Sequence, residues 1–172
     1  MKACAVVKGK TKKDQKAWAK IANTIYFEYI LYQGVLNGFP MCPRFPLGTA
    51  YGEWLGVRFL VMERFEGDLM ELSRAVPGPS LRDVASYGTQ ILTGLEELHK
   101  RRYVFIDVKP DNFMYQAQGG PDNTKRIVFI DFGLAQDFTD VRTQKHREET
   151  SGNPVGTPTF MSLAVHCGTL TS

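Results

Sequence analysis

The sequence predicts an α+β fold, and three observations carry that expectation. Two short apolar runs rich in β-branched and aromatic residues, Y-V-F-I at 103–106 and I-V-F-I at 127–130, each stop at an aspartate, as buried strands entering a loop would. Two longer stretches, 14–33 and 80–99, repeat their apolar residues every three or four positions, which is the helical period. With 172 residues, 43% hydrophobic and 23% charged, the chain has the composition of one ordinary packed domain.

Taken in order, A-C-A-V-V-K at 3–8 reads as a strand ending in Lys8. A basic turn at 9–13 follows, and Asp14 is placed to cap a helix running to about Gln33. Trp18, Ile21, Ile25, Glu28 and Tyr32 share one stripe of that helix, so a carboxylate falls among apolar neighbours. Burying a lone carboxylate is costly, so Glu28 either turns to water or meets a cation, and Lys8 is the candidate. Residues 34–46 are rich in Gly and Pro and read as a connection.

Residues 47–62 read as a hairpin turning at 53–56. Its glycines, Gly48, Gly52 and Gly56, are spaced G-x-x-x-G-x-x-x-G, which is not a phosphate loop. M-E-R-F-E-G-D-L at 62–69 ends the hairpin and starts a helix near Asp68. After A-V-P-G-P, Ser80 and Asp83 form a capping-box pattern that opens a helix ending near His99. Leu81, Val84, Ile91, Leu95 and Leu98 are expected to share its core face. His99, His146 and His166 have no partners at metal-ligand spacing.

Several function classes are disfavoured. The net charge of +3 comes from scattered lysines and arginines, which indicates neither a nucleic acid nor a membrane surface as partner. Cys4, Cys42 and Cys167 are far apart and odd in number, so they suggest reduced thiols rather than a zinc site or a disulfide framework. No signal peptide is visible at 1–10, and no window approaches ~18 uninterrupted apolar residues. A soluble, intracellular protein of the nucleus or cytoplasm is expected.

The chemistry gathers at D-V-K-P-D-N (107–112) and D-F-G (131–133). If the two apolar runs are neighbouring strands, Asp107 and Asp131 lie close together. D-x-K-x-x-N followed by D-F-G supplies a base, a cation and two hard oxygen ligands, the set needed to move a phosphoryl group.

These motifs resemble the catalytic loop and metal-binding motif of eukaryotic-type protein kinases, and D-V-K-P-D-N-F resembles the casein kinase one group. Y-F-E-Y-I-L-Y-Q at 26–33, M-E-R-F-E-G-D-L and G-T-P-T-F-M-S-L-A-V-H at 156–166 resemble the vaccinia-related kinase branch. The resemblance covers nearly the whole chain. It implies a bilobal protein-kinase-like fold, with 1–62 in the N-lobe from the lysine strand onward, a hinge at 63–67 and C-lobe residues at 68–172. It also implies a truncated domain, lacking the glycine-rich hairpin and the later C-lobe helices.

By the same resemblance the protein is a Ser/Thr kinase that uses ATP and Mg²⁺ on protein hydroxyls, inactive as this fragment. The alternative is a pseudokinase or regulatory module that keeps a nucleotide pocket. Asp107 corresponds to the residue that accepts or orients the substrate hydroxyl, and Lys109 to the one beside the γ-phosphate. Asn112 and Asp131 correspond to the metal ligands, and Lys8 to the lysine that holds the α- and β-phosphates and pairs with Glu28. Val6 and Met114 are implied above and below the adenine, with Met62 as gatekeeper, the backbone of Glu63 to Phe65 as hinge, and Asp68 near the ribose.

Two departures stand out. Phe105 and Ile106 occupy the positions of the family's His and Arg or Gly, and that histidine normally braces the D-F-G turn. Ala-Pro-Glu is replaced by S-L-A-V-H at 162–166, as it is replaced in the casein kinase one and vaccinia-related branches.

Overall fold

Leu55 and Gly56 both take positive φ, 48° and 75°, the backbone of a tight two-residue turn whose twist matches that of paired strands. They join β2 (Ala50–Trp54) to β3 (Val57–Val61), from Trp54 opposite Val57 to Ala50 opposite Val61. β1 (Lys2–Ala5) pairs antiparallel with the other edge of β3, giving the order β1-β3-β2. Gly52 lies opposite Phe59, and a Cβ there would stand 2.6 Å from the Phe59 ring, so only glycine leaves that ring its place.

The computed structural model describes residues 2–5, 24–36, 45–46, 49–117, 124–139, 142–143, 150–151 and 154–170. Val6, Lys8, Asp14, Trp18 and Ile21 lie outside these residues, as does most of the polar insert after Gln116.

Residues 24–30 form α1, which widens into a π-helical turn over Leu31–Leu36. The helical stretch continues past its expected end near Gln33 and takes in Gly34, which was read as connection. The i→i+5 bonding of a π turn widens the helix here, and Leu31, Tyr32 and Leu36 are buried along it. Ile25, Glu28 and Tyr32 are buried on the expected stripe. Gln33 ties the turn to the hairpin, its Nε2 donating to the Thr49 carbonyl (2.8 Å) and hydroxyl (2.9 Å).

Beyond the hairpin, β4 (Gly67–Asp68), β6 (Phe113–Gln116) and β7 (Arg126–Phe129) form a second antiparallel sheet in the order β4-β6-β7. Asp68 also caps α2 (Leu69–Ser73) through a capping box with Glu71. Ser80 and Asp83 do the same for α3 (Leu81–Lys100).

The buried face of α3 differs from expectation. Leu98 is buried and Ile91 and Leu95 are half-buried, but Leu81 and Val84 are 86% and 51% exposed. Tyr87, Gln90 and Gly94 fill the face instead, because the helix packs on β5 (Tyr103–Val104) and β7 and its first turn lies beyond them. Gln90 belongs there because, among the described residues, β7 has a strand on one side only. Its Oε1 accepts from the Ile127 amide (3.0 Å) and its Nε2 donates to the Lys125 carbonyl (3.0 Å), which satisfies that bare edge.

The two apolar runs are not paired strands. β5 pairs with β8 (Gln136–Asp137), and β7 pairs with β6 from Phe113 opposite Phe129 to Gln116 opposite Arg126. Phe105 leaves β5 into the core and meets β7 through its side chain, with ring centroids 5.5 Å apart at Phe129. A short pair, β9 (Thr150–Ser151) with β10 (Thr169–Leu170), and α4 (Leu163–His166) follow. Among the described residues no helix is long and apolar enough to cross a membrane.

Candidate active site

Lys109 is extended and Pro110–Asn112 closes a 3₁₀ turn, a geometry the fixed φ of Pro110 favours at a helix start. The turn folds Asn112 back onto Asp107: its Nδ2 donates to the Asp107 carbonyl (2.8 Å) and to Oδ2 (3.2 Å). Lys109 Nζ lies 2.7 Å from the same Oδ2. The other oxygen, Oδ1, accepts from the Thr157 amide (2.9 Å) and hydroxyl (2.7 Å), while Lys109 Nζ donates to the Thr157 hydroxyl (3.0 Å).

Burial pushes the Asp107 carboxyl up, but hydrogen bonds from Lys109 and Thr157, the Lys109 charge and the Asn112 amide hold it below its ordinary range. Thr157 was not singled out from the sequence. The available signal was the preceding Gly156, whose φ of 116° side chains rarely adopt and which delivers Thr157 to the loop.

At the second motif, Asp131 sits in the left-handed region (φ 63°, ψ 64°) and Phe132–Leu134 forms a 3₁₀ turn. Phe132 is buried against Phe105 and Tyr32, with centroids 5.0 and 5.4 Å apart. A Cβ on Gly133 would come within 2.8 Å of Thr24, so glycine allows α1 this close. Phe105 thus braces the D-F-G turn by ring contact, where the family's histidine was expected to act.

Glu28 is fully buried, and its Oε1 accepts from the Phe132 amide and the Tyr32 hydroxyl, both at 3.1 Å. Burial, then the Glu28 charge, raises the Tyr32 hydroxyl well above its usual value, so it remains a donor. The expected partner Lys8 lies outside the described residues.

Between α1, the segment at 62–65 and β6 opens a cavity of about 510 Å³, lined by Glu28, Met62, Glu63, Phe65, Met114 and Asp131 together with Arg64 and Ile130. Asp107, Lys109 and Asn112 are not in its lining. They stand beside it, because the Ile130 amide donates to the Asn112 carbonyl (3.0 Å), which sets the catalytic loop against the residue before Asp131.

The protein kinase domain family matches residues 55–164, which include both motifs. The chain belongs to the protein kinase family. This kinase domain is similar to a probable casein kinase I homolog of Encephalitozoon cuniculi, with 37% identity over 82% of the chain and 45% of the relative. It is also similar to casein kinase I homolog 1 of Saccharomyces cerevisiae, with 32% identity over 82% of the chain and 26% of the relative. Casein kinase I homolog 3 of Schizosaccharomyces pombe shares 30% identity over 82% of the chain and 31% of its own length. The chain therefore spans less than half the length of these relatives.

Kinase domains use Mg²⁺ with the nucleotide, and the residues present fit that ion. Among the described residues no three His, Cys, Asp or Glu side chains cluster to hold a metal by themselves. Magnesium does not require such a cluster, since it takes one or two protein oxygens and completes its shell with phosphate and water. The Asn112 amide nitrogen is turned to Asp107, so its oxygen is the atom that would meet a cation, and Asp131 stands on the cavity wall.

Proposed function

We propose that this kinase domain directs transfer of the γ-phosphoryl group of ATP to serine or threonine hydroxyls of a protein substrate. The observation that carries the reading is the cluster in which Lys109 and Thr157 both hold the buried carboxylate of Asp107. In the proposed step the substrate oxygen forms a bond to the γ-phosphorus and the bond to the ADP oxygen breaks. The hydroxyl proton passes towards Asp107. A carboxylate held below its ordinary range is a weak base, so Asp107 acts first by orienting the hydroxyl and takes the proton late.

Lys109 offsets charge on the phosphoryl oxygens. Asn112 and Asp131 would hold Mg²⁺, whose contribution is to neutralise phosphate charge. Met62, the Glu63 to Phe65 backbone and Met114, all in the cavity lining, would take the adenine, and the resemblance assigns its other face to Val6, which lies outside the described residues. The resemblance assigns the α- and β-phosphates and the pairing with Glu28 to Lys8, which lies outside the described residues. The resemblance assigns a place near the ribose to Asp68, which also caps α2.

The motifs at 26–33, 62–69 and 156–166 favour the vaccinia-related branch. A second reading, nucleotide binding without transfer, is favoured by Phe105 and Ile106 standing where the family carries its His and Arg or Gly.

Transfer of labelled phosphate from ATP to casein, assayed in a version extended to the length of the relatives, decides between them. Transfer that Asp107→Asn abolishes supports the first reading. Nucleotide binding with no transfer supports the second.

A further inference from the structure

Glu63 is the second residue of the segment 62–66 that joins the two sheets, and its side chain is engaged from the second sheet. Its Oε2 accepts from Gln116 Nε2 (3.0 Å) and from Arg126 Nη2 (3.1 Å). Arg126 Nη2 also donates to Gln116 Oε1, so its two hydrogens are divided between the two partners. Gln116 and Arg126 are cross-strand partners of β6 and β7, which makes the three side chains a closed ring on that sheet.

Two further bonds hold the next turn of chain. The Glu66 amide donates to the Tyr115 carbonyl (3.1 Å), and Glu66 Oε1 accepts from the Ala117 amide (2.7 Å). Residues 63–66 are thus fastened at both ends to one hairpin. The Arg126 side chain is only 10% exposed, a depth at which a guanidinium needs well-placed partners.

Glu63, Arg64 and Phe65 form one wall of the cavity, with Met114 and Ile130 also in its lining. We propose that Arg126, acting with Gln116, is a positioning residue for the base end of this cavity. It holds Glu63, and through it the backbone at 63–65, at the spacing that a flat purine fills. This role rests on the nucleotide reading above. It also has a mechanical consequence: the joining segment moves with β6 and β7, so the pivot between the two sheets lies before Glu63.

The test uses the 172-residue chain with Arg126→Met, Arg126→Lys and Glu63→Gln. ADP and inorganic pyrophosphate, each with Mg²⁺, are titrated calorimetrically, and amide exchange is followed at 63–67 and along α3. Arg126→Met is expected to weaken ADP on the order of tenfold, the scale of one charge-assisted hydrogen bond. Pyrophosphate binding should be unchanged, because it has no base. Exchange should quicken at 63–67 and not along α3.

Arg126→Lys should restore part of the loss, since one ammonium lacks the planar fork that serves two acceptors. Glu63→Gln, which keeps the shape and removes the charge, should act in the same direction if Arg126→Met does not fold. Unchanged ADP binding in a folded variant overturns the role, as does an equal loss of ADP and pyrophosphate with a matching fall in Tm. A wild-type chain that binds no ADP contradicts the nucleotide site itself, and the role with it.

Discussion

The hydroxyl of Thr157 donates a 2.7 Å hydrogen bond to Oδ1 of Asp107, which lies fifty residues earlier in the chain. With Lys109 3.0 Å from the same hydroxyl, Thr157 bridges the two residues that would meet the substrate. Thr157→Val keeps the shape and removes the bridge. It is expected to lower phosphate transfer by roughly tenfold to a hundredfold, because misplacement of about 1 Å is costly in this chemistry. Thr157→Ser should stay near wild type. The measurement is steady-state transfer to casein by the version extended to the length of the relatives.

The depressed carboxyl of Asp107 fixes the sign of an acid effect. Burial alone would raise it, but Lys109, Thr157 and Asn112 together hold it low. Stability from this cluster is therefore fully present above the unfolded value of about 3.9 and lost as pH falls through the lower folded value. Thermal unfolding should show a constant difference between wild type and Asp107→Asn from about pH 5 to 8, narrowing below about pH 4.

Phe105 should matter first for stability. Its ring is buried against Phe132, Phe129 and Phe113. Phe105→Ala is expected to cost about 3–5 kcal/mol, as large-to-small core changes do. Phe105→His restores the residue type common in the family and should cost less. Urea unfolding measures both.

Leu55 holds φ 48° while 80% exposed, so its side chain gains little from burial and its backbone is unfavourable. Leu55→Asn makes the turn Asn-Gly, the pair best suited to positive φ at both positions. A gain of about 1 kcal/mol in stability is expected from denaturant unfolding.

The parts of the site that were legible in the sequence are local. Asp107, Lys109 and Asn112 lie within one turn of chain, and Glu28 stood out because a carboxylate on an apolar stripe must find a partner. Its partner Tyr32 lies four residues on along the same stripe, whereas the Phe132 amide emerges only in three dimensions. Thr157, Gln90 and Arg126 were not legible, since each acts on a partner 35 or more residues away, and Gly156 beside Thr157 is the one local mark among them.

Periodicity placed α3 correctly, but it cannot say how far along a helix the neighbouring sheet extends, which is why Leu81 and Val84 were misplaced. Strand pairing is likewise non-local. The two apolar runs look alike, yet one takes its partner from 136–137 and the other from 113–116.

The most direct test of the central claim is calorimetric titration of ATP into this chain, with and without Mg²⁺, beside Asp131→Ala. The account predicts binding that requires the metal in the wild-type chain and is lost in the variant. Equal binding by both proteins, or metal-independent binding, would contradict it.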